Sequence, residues 1–488
     1  MDNIFSTYLT QLKYLIPELT ILGASIIAMF VHLFMPKKGH RVAGIICLIG
    51  LVAGLAVLLT PSLSPVNNDS ELFSGNIKAD SFSYFLKGIF MLAGILTIFL
   101  SFRFFDVEGS EAGEIYYLLL MGIIGMMVAV SSVDLVSFYV AFELFAIISY
   151  ILAGIFKKEK RSAEAGIKYF ILGSLSSAIM MLGVALVVGL TGKTNYAELG
   201  KMLSNPAIIA DANHKLALMG MVLFFIGMFF KLALVPFHMW TPDVYEGAPT
   251  PLVAFLSTAP KAAVFAIMIR VLMSVFPHFE FQTNFILQGI AIVTMFWGNI
   301  AALIQNNIKR MMAYSSIAHA GYIVIGLAAM NGTGHKAVLF YLFAYLFMNV
   351  AAFGLILLVQ KNTGFGEQID DMRGMAKRSP WIAASVIVLL LSLTGIPPTV
   401  GFIGKYYLFA AAVEKGMYIL AVAGALNSVI SLFYYFRIGR AMFMEEPVGE
   451  ISIDKTYAKY IFIIACLVIF LLGIYPAPLT NIVLNALP

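Results

Sequence analysis

Residues 216–240 read LALMGMVLFFIGMFFKLALVPFHMW. Nothing polar interrupts the stretch before Lys231, and Pro236 and His238 follow within seven residues. About 20 mostly apolar residues suffice to cross a bilayer as a helix, so the run through 235 reads as a membrane span. A charge at the bilayer centre costs about 2.5–3.5 kcal/mol on insertion scales. A proline inside a helix removes a backbone hydrogen bond and clashes with the preceding turn. The stretch therefore reads as a membrane helix that carries a charge and then breaks.

The rest of the chain extends this reading. Of its 488 residues, 61% are hydrophobic and 12% charged, against about 45–50% and about 25% in soluble proteins. Apolar runs predict about fourteen spans, near 15–35, 42–60, 81–102, 116–132, 134–156, 164–190, 216–235, 250–276, 283–305, 311–329, 335–360, 381–410, 416–436 and 457–476. They are too long for barrel strands and lack a two-residue alternation. The expected fold is an all-α polytopic membrane protein with no soluble domain. The first residues, MDNIFSTYLTQLKYLIPELT, lack the basic segment and cleavage site of a signal peptide, so the first run is expected to be a retained span. Cys47 and Cys466 make no CxxC pair, which argues against zinc and iron–sulfur sites.

Lysine and arginine orient the spans. With the N-terminus outside, inner loops collect about eighteen of the 31 basic residues, among them Lys37, Lys38, Lys157, Lys158, Lys309, Arg310, Lys361 and Lys455. Outer segments hold Lys13, Lys78, Lys87, Lys193, Lys201, Lys215, Lys336 and Lys415. Lys168, Lys231, Lys261, Arg270 and Lys405 remain within spans. An even number of spans then places both termini outside.

Two stretches repeat. AFELFAIISYILAGI at 141–155 aligns without gaps to AYSSIAHAGYIVIGL at 313–327, an offset of 172 that also pairs Tyr169 with Tyr341. The copies begin in spans five and ten, so they would run antiparallel, as in the inverted repeats of transporters. Two five-helix repeats are expected, spans 4–8 (about 116–277) and 9–13 (about 281–440). An N-terminal three-helix segment (1–115) would precede this 116–440 core, and a C-terminal helix (441–488) would follow it. LVPFHMWTP at 234–242 and LTGIPPTVGF at 393–402 give each repeat one proline-broken helix. Irregular backbone at membrane depth survives where protein or a water-filled cavity satisfies it, so paired breaks point to a transport path.

Glu143, Lys231, Lys261 and Lys405 each have at least one apolar helical turn on both sides. Lys168 lies about one turn inside span six and Arg270 late in span eight, where snorkelling to the interface is the competing reading. His238 and His319 fit either a proton relay or hydrogen-bonded structural histidines; no spacing supports a metal site. One carboxylate among several lysines suits proton transfer, since burial and partner exchange change how tightly a lysine holds its proton. LTGKT at 190–194 is no phosphate loop, because Val187 stands where glycine is required. SIAHAG at 316–321 offers serine and histidine without an acid partner, so it is set aside as a hydrolytic site.

SFYVAFELFAIISYILAGI, KYFILGSLSSAIM, FFKLALVPFHMWTPDVYEGAPTP, FLSTAPKAA, NIKRMMAYSSIAHAGYIVIGL and SLTGIPPTVGFIGKYYLF, in this order, closely resemble the antiporter-like membrane subunits of NADH–quinone oxidoreductase, respiratory complex I. PDVYEGAPTP, the chain length and Lys405 after the second break, where subunit M carries a glutamate, make the resemblance strongest to subunit N. The resemblance implies proton translocation coupled to quinone reduction elsewhere in a translocase. It implies a Glu143–Lys231 pair, Lys231 as the switching lysine, Lys261 as the connecting lysine and Lys405 as the terminal one. His238 and Lys168 would have supporting roles, and Ser315 would stand where the first repeat has Glu143. NADH, FMN, iron–sulfur clusters and quinone would belong to other subunits, with no cofactor or metal in this chain. Partners would be other membrane subunits, the nearest M-like and K-like, along with lipid and protons but no nucleic acid, in a bacterial plasma membrane. A subunit of a multi-subunit cation/proton antiporter or membrane-bound hydrogenase is the alternative. A scaffold whose charges only fix helix packing is a third.

Overall fold

The computed structural model describes residues 8–35, 39–63, 66, 71–108, 113–205, 211–359, 366–447 and 457–487. Lys37, Lys38, Lys361 and Lys455 of the inner basic set lie outside the described residues. Among the described residues the fold is all-helical, apart from a hairpin of two-residue strands, Glu71–Leu72 and Ile77–Lys78. Among the described residues, twelve helices are long and apolar enough to cross a membrane.

Polar residues set where these helices begin. Asp134 starts the helix Leu135–Ala153 by accepting the amides of Val136 and Ser137 at 2.9 and 3.0 Å, and Asn307 starts Ile308–Ala329 in the same way. Such caps satisfy amides that the first helical turn leaves free. The helices Ala259–Ser274, Ile308–Ala329 and Gly332–Val359 are buried on nearly every side. A helix that is apolar all round belongs in the interior of a bundle. Outer helices instead turn large apolar side chains outward, such as Phe170, Leu175, Phe285 and Phe433.

Some expected spans are interrupted. The run 381–410 is two helices, Pro380–Thr394 and Val400–Glu414. The run 250–276 is Thr250–Leu256 followed by Ala259–Ser274, since Pro260 favours a helix start and not a helix interior. The last span, Ala458–Ile474, turns by 85° into Ala477–Asn485, a short helix the sequence reading did not separate. Pro476 stands at that turn.

Two charges lie deeper than expected. Lys87 is not an outer-segment residue. It belongs to the helix Ser81–Glu108, is fully buried, and lies 2.7 Å from Glu18 of the helix Ile16–Phe34. Nor does Arg270 snorkel: its guanidinium is buried and grips Asp80 with two bonds of 2.9 Å. In both cases a carboxylate from the N-terminal segment supplies the counter-charge that a buried cation requires.

Candidate functional site

The helix Asp211–Leu232 ends at the first break. Ala233 turns to a left-handed φ of 60°, the Val235–Pro236 bond is cis, and helix resumes at Trp240. Lys231, in the last turn before the break, is 3% exposed. Its ammonium lies over the ring of Tyr150 at 4.2 Å and near that of Tyr169 at 4.8 Å. Tyr169 stacks on Trp240 at 4.2 Å, and Trp240 donates its indole N–H to Phe230 O at 2.9 Å. Desolvated cation–π contacts are worth about 2 kcal/mol or more, so this aromatic wall holds the charge. Glu143 stands about two turns before Tyr150 on the helix Leu135–Ala153 and is half-buried, but it makes no ion pair with Lys231 within 4.0 Å. Its Oε1 and the Lys231 Nζ have no hydrogen-bond partner among the described residues. The pairing implied by the resemblance is therefore not a direct contact in this structure.

Lys261 is also buried. Its Nζ donates to Ser316 Oγ at 2.6 Å and to Ser316 O at 3.1 Å. Tyr245 OH meets the same hydroxyl at 3.3 Å. The adjacent Ser315 bonds Tyr435 OH, which lies 3.3 Å from His319 Nε2. The other ring nitrogen of His319 bonds Tyr341 OH at 2.7 Å. SIAHAG, set aside as a hydrolytic site, thus lies among the buried ionisable groups. The sequence offers His319 as a relay candidate but gives no sign of Ser316, because its lysine and tyrosine partners come from other helices and not from an acid nearby in the chain.

Lys405 sits at the second break. The helix Pro380–Thr394 stops at Gly395, whose φ of 90° favours glycine. A Cβ on Gly401 would lie 1.9 Å from Ser392 O, so only glycine lets the helix Val400–Glu414 approach this end so closely. One turn on, Lys405 Nζ reaches Thr394 O at 2.8 Å and Leu393 O at 3.2 Å. These are carbonyls of a helix terminus, with no intrahelical donor and at the negative end of the helix dipole. The ring of Tyr322 lies 4.2 Å from the same ammonium. Tyr150 and Tyr322 stand 172 residues apart, the repeat offset, and each faces its own lysine at the same distance.

Contacts join these lysines in one series. Tyr169 and Trp240 lead from Lys231 to Tyr245, then to Ser316 and Lys261. Ser315, Tyr435 and His319 continue it, and the His319 and Tyr322 rings lie 5.8 Å apart beside Lys405. His238 belongs to the break itself and meets Trp297 edge-on at 5.6 Å. Lys168 does not join the series. Its side chain is 41% exposed and bridges Glu164 at 2.6 Å and Asp243 at 2.7 Å. Asp243 also takes Arg310 at 2.9 Å. Burial pushes the Asp243 carboxyl up, but Lys168 and Arg310 outweigh it and hold the group below its usual range. Beside this rim a cavity of about 400 Å³ is lined by Glu159, Arg161, Glu246, Lys309 and Glu367, among others.

Cys47 and Cys466 are buried on separate helices. Among the described residues no three His, Cys, Asp or Glu side chains are grouped as metal ligands.

Comparison with known proteins accords with this geometry. The family model for the transmembrane domain of NADH:quinone oxidoreductases and Mrp antiporters matches residues 132–431. NADH-quinone oxidoreductase subunit N of Trichlorobacter lovleyi is 40% identical, over 91% of this chain and 89% of its own. Subunit N 1 of Chloroherpeton thalassium is also 40% identical, over 96% and 97%. A chain of respiratory complex I from Thermus thermophilus, solved with bound aureothin, superposes with a TM-score of 0.80 at 30% identity, covering 96% of this chain and 99% of that one. A chain of the Mrp complex from Dietzia sp. superposes at 0.84 with 20% identity, over 97% of each, which shows a shared fold. The chain belongs to the subunit N family of NADH-quinone oxidoreductases.

Proposed function

We propose that this chain carries protons across the membrane through Glu143, Lys231, Lys261, His319 and Lys405, as a membrane subunit of an NADH–quinone oxidoreductase. The observation that carries the reading is the set of buried lysines, hydroxyls and histidine between two broken helices, hydrogen-bonded around Lys261 and His319 and joined to Lys231 and Lys405 through aromatic rings. A hydroxyl both donates and accepts. Ser316, Ser315 and Tyr435 can each take a proton on one side and release one on the other without holding charge. His319 can do so through its two ring nitrogens. Around the first break Glu143 Oε1, Lys231 Nζ and Thr241 Oγ1 find no hydrogen-bond partner among the described residues. Leaving such buried groups unmet costs about 1–3 kcal/mol each, so water is their natural partner and a proton carrier between Glu143 and Lys231. His238 then acts beside the break, and Lys168 gathers charge at the rim.

We count the broken segment 380–414 and the bent C-terminal pair as one crossing each, which with the twelve long apolar helices among the described residues gives fourteen. We take 1–115 as an N-terminal segment, 116–440 as two inverted repeats and 441–488 as the closing segment, with both termini outside a bacterial plasma membrane. The common tyrosine–lysine distance at the 172-residue offset supports the repeats. NADH, FMN, iron–sulfur clusters and quinone chemistry belong to other subunits on this reading, and M-like and K-like chains are the neighbours. The test is proton translocation per NADH oxidised in vesicles carrying the assembled complex. Lys231→Ala and Glu143→Ala should lower it, and an unchanged ratio in both rejects the reading. Sodium-dependent proton release without NADH would favour the antiporter alternative.

A further inference from the structure

The first break is fastened by a helix from outside its own repeat. The amide of Val235 donates to Thr294 Oγ1 at 3.1 Å, and His238 meets Trp297. Thr294 and Trp297 both stand on the helix Glu280–Leu303, which opens the second repeat in the proposed arrangement. An amide released by a break must find an acceptor when buried. Thr294, itself fully buried, provides one, so the position of the break follows the position of this helix.

Five residues on, the same helix carries Asn299, also fully buried. Its Oδ1 accepts from Tyr434 OH at 3.0 Å, and its Nδ2 donates to Asn427 Oδ1 at 3.0 Å and to Tyr322 OH at 3.4 Å. Tyr322 is the ring that faces Lys405. At 1.5 Å per residue, Thr294 and Asn299 lie about 7.5 Å apart along the axis. No proline interrupts this helix, so a shift at one position carries to the other.

We propose that the helix Glu280–Leu303 is a coupling arm, with Thr294 and Asn299 as positioning residues for Lys231 and Lys405. The inference rests on the proton-transfer reading above. It adds a mechanical route between the two break sites that does not pass through Lys261. When the break beside Lys231 moves, Thr294 moves with it, and Asn299 shifts the tyrosine against which Lys405 rests.

The test uses the assembled complex. Thr294→Val keeps the shape of the side chain and removes its hydroxyl, whereas Thr294→Ser keeps the hydroxyl. Protons translocated per NADH should fall with valine and return to the wild-type ratio with serine. Hydrogen exchange gives a second measure on purified complex carrying Tyr434→Phe, which removes one partner of Asn299 but touches neither the break nor Lys231. Amides of residues 233–235 and 237–239 should then exchange roughly three- to tenfold faster, the worth of a single hydrogen bond. The arm is overturned if valine matches wild type, if serine is as impaired as valine, or if exchange at the break is unchanged in Tyr434→Phe. Lys231→Ala separates the two ideas. If it leaves the ratio intact, the proton-transfer reading fails. If it lowers the ratio and Thr294→Val does not, only the arm fails.

Discussion

Asp80→Ala should loosen the attachment of the N-terminal segment to the helix that bears Lys261. Asp80 accepts two bonds of 2.9 Å from Arg270 and a third of 2.9 Å from the amide of Ser83. Both charged side chains are about 95% buried. Removing one partner of a buried pair costs about 3–5 kcal/mol, because the other charge is left uncompensated, and losing the helix cap adds roughly 1 kcal/mol. Membrane assemblies unfold irreversibly, so the observable is a rate of heat inactivation. Three kcal/mol corresponds to roughly a hundredfold change in rate if the pair is broken in the unfolding transition state. Burial raises the Asp80 carboxyl, but Arg270 and Ser83 outweigh burial and hold it below the usual carboxylate range. A lowered pKa contributes stability that is complete above the unfolded value and is lost as pH falls through the folded one. The gap between wild type and Asp80→Ala should therefore stay constant from about pH 5 to 8 and narrow below about pH 4. Asp80→Ala combined with Arg270→Leu should recover part of the loss, since the orphaned charge is gone. Inactivation of Asp80→Ala within about twofold of wild type, or a double variant as labile as the single one, would refute the reasoning.

Further outcomes follow from other contacts. Tyr150→Phe keeps the ring that faces Lys231 and should pump nearly as wild type, whereas Tyr150→Leu removes a contact worth about 2 kcal/mol and should pump less per NADH. Gly395→Ala forces a side chain into φ 90° and places a Cβ 2.8 Å from Lys405 Cδ, so both assembly yield and pumping should fall; Gly416→Ala, at φ 73° with open space around it, should affect assembly alone. Lys168→Ala should change pumping by less than about twofold, because exposed ion pairs contribute little. Glu367→Gln removes the charge opposite buried Lys309, which lies 3.4 Å away, and limited proteolysis of 366–374 should then accelerate.

The sequence made visible what hydrophobicity and proline govern. Long apolar runs gave the helices, and Pro236 and Pro397–Pro398 marked the breaks. Burial of Lys231, Lys261 and Lys405 followed from the apolar turns around them. It did not show the partners, because these come from distant helices. Glu18 and Lys87 lie 69 positions apart and Asp80 and Arg270 lie 190 apart. Spacing alone therefore groups Lys87 with the outer charges and leaves Arg270 open to an interfacial reading. Asn299 and Asn427 passed unnoticed for a related reason. A neutral amide in an apolar run is ordinary until its neighbour 128 positions away is known. Glu143 shows the reverse limit: its place on a long apolar helix was legible, but the absence of a direct bond to Lys231 depends on how distant helices pack, which no spacing encodes.

Lys405 is anchored by the carbonyls of Leu393 and Thr394, and carbonyls are common to every amino acid. No side-chain substitution can delete those two acceptors. A mutational scan of this region would register Lys405 itself and the glycines that admit it, while its strongest partners stayed silent. The anchor is inherited with the shape of the chain and not with its spelling. Sequences could drift widely at 393 and 394 and still present the same two oxygens to the same ammonium.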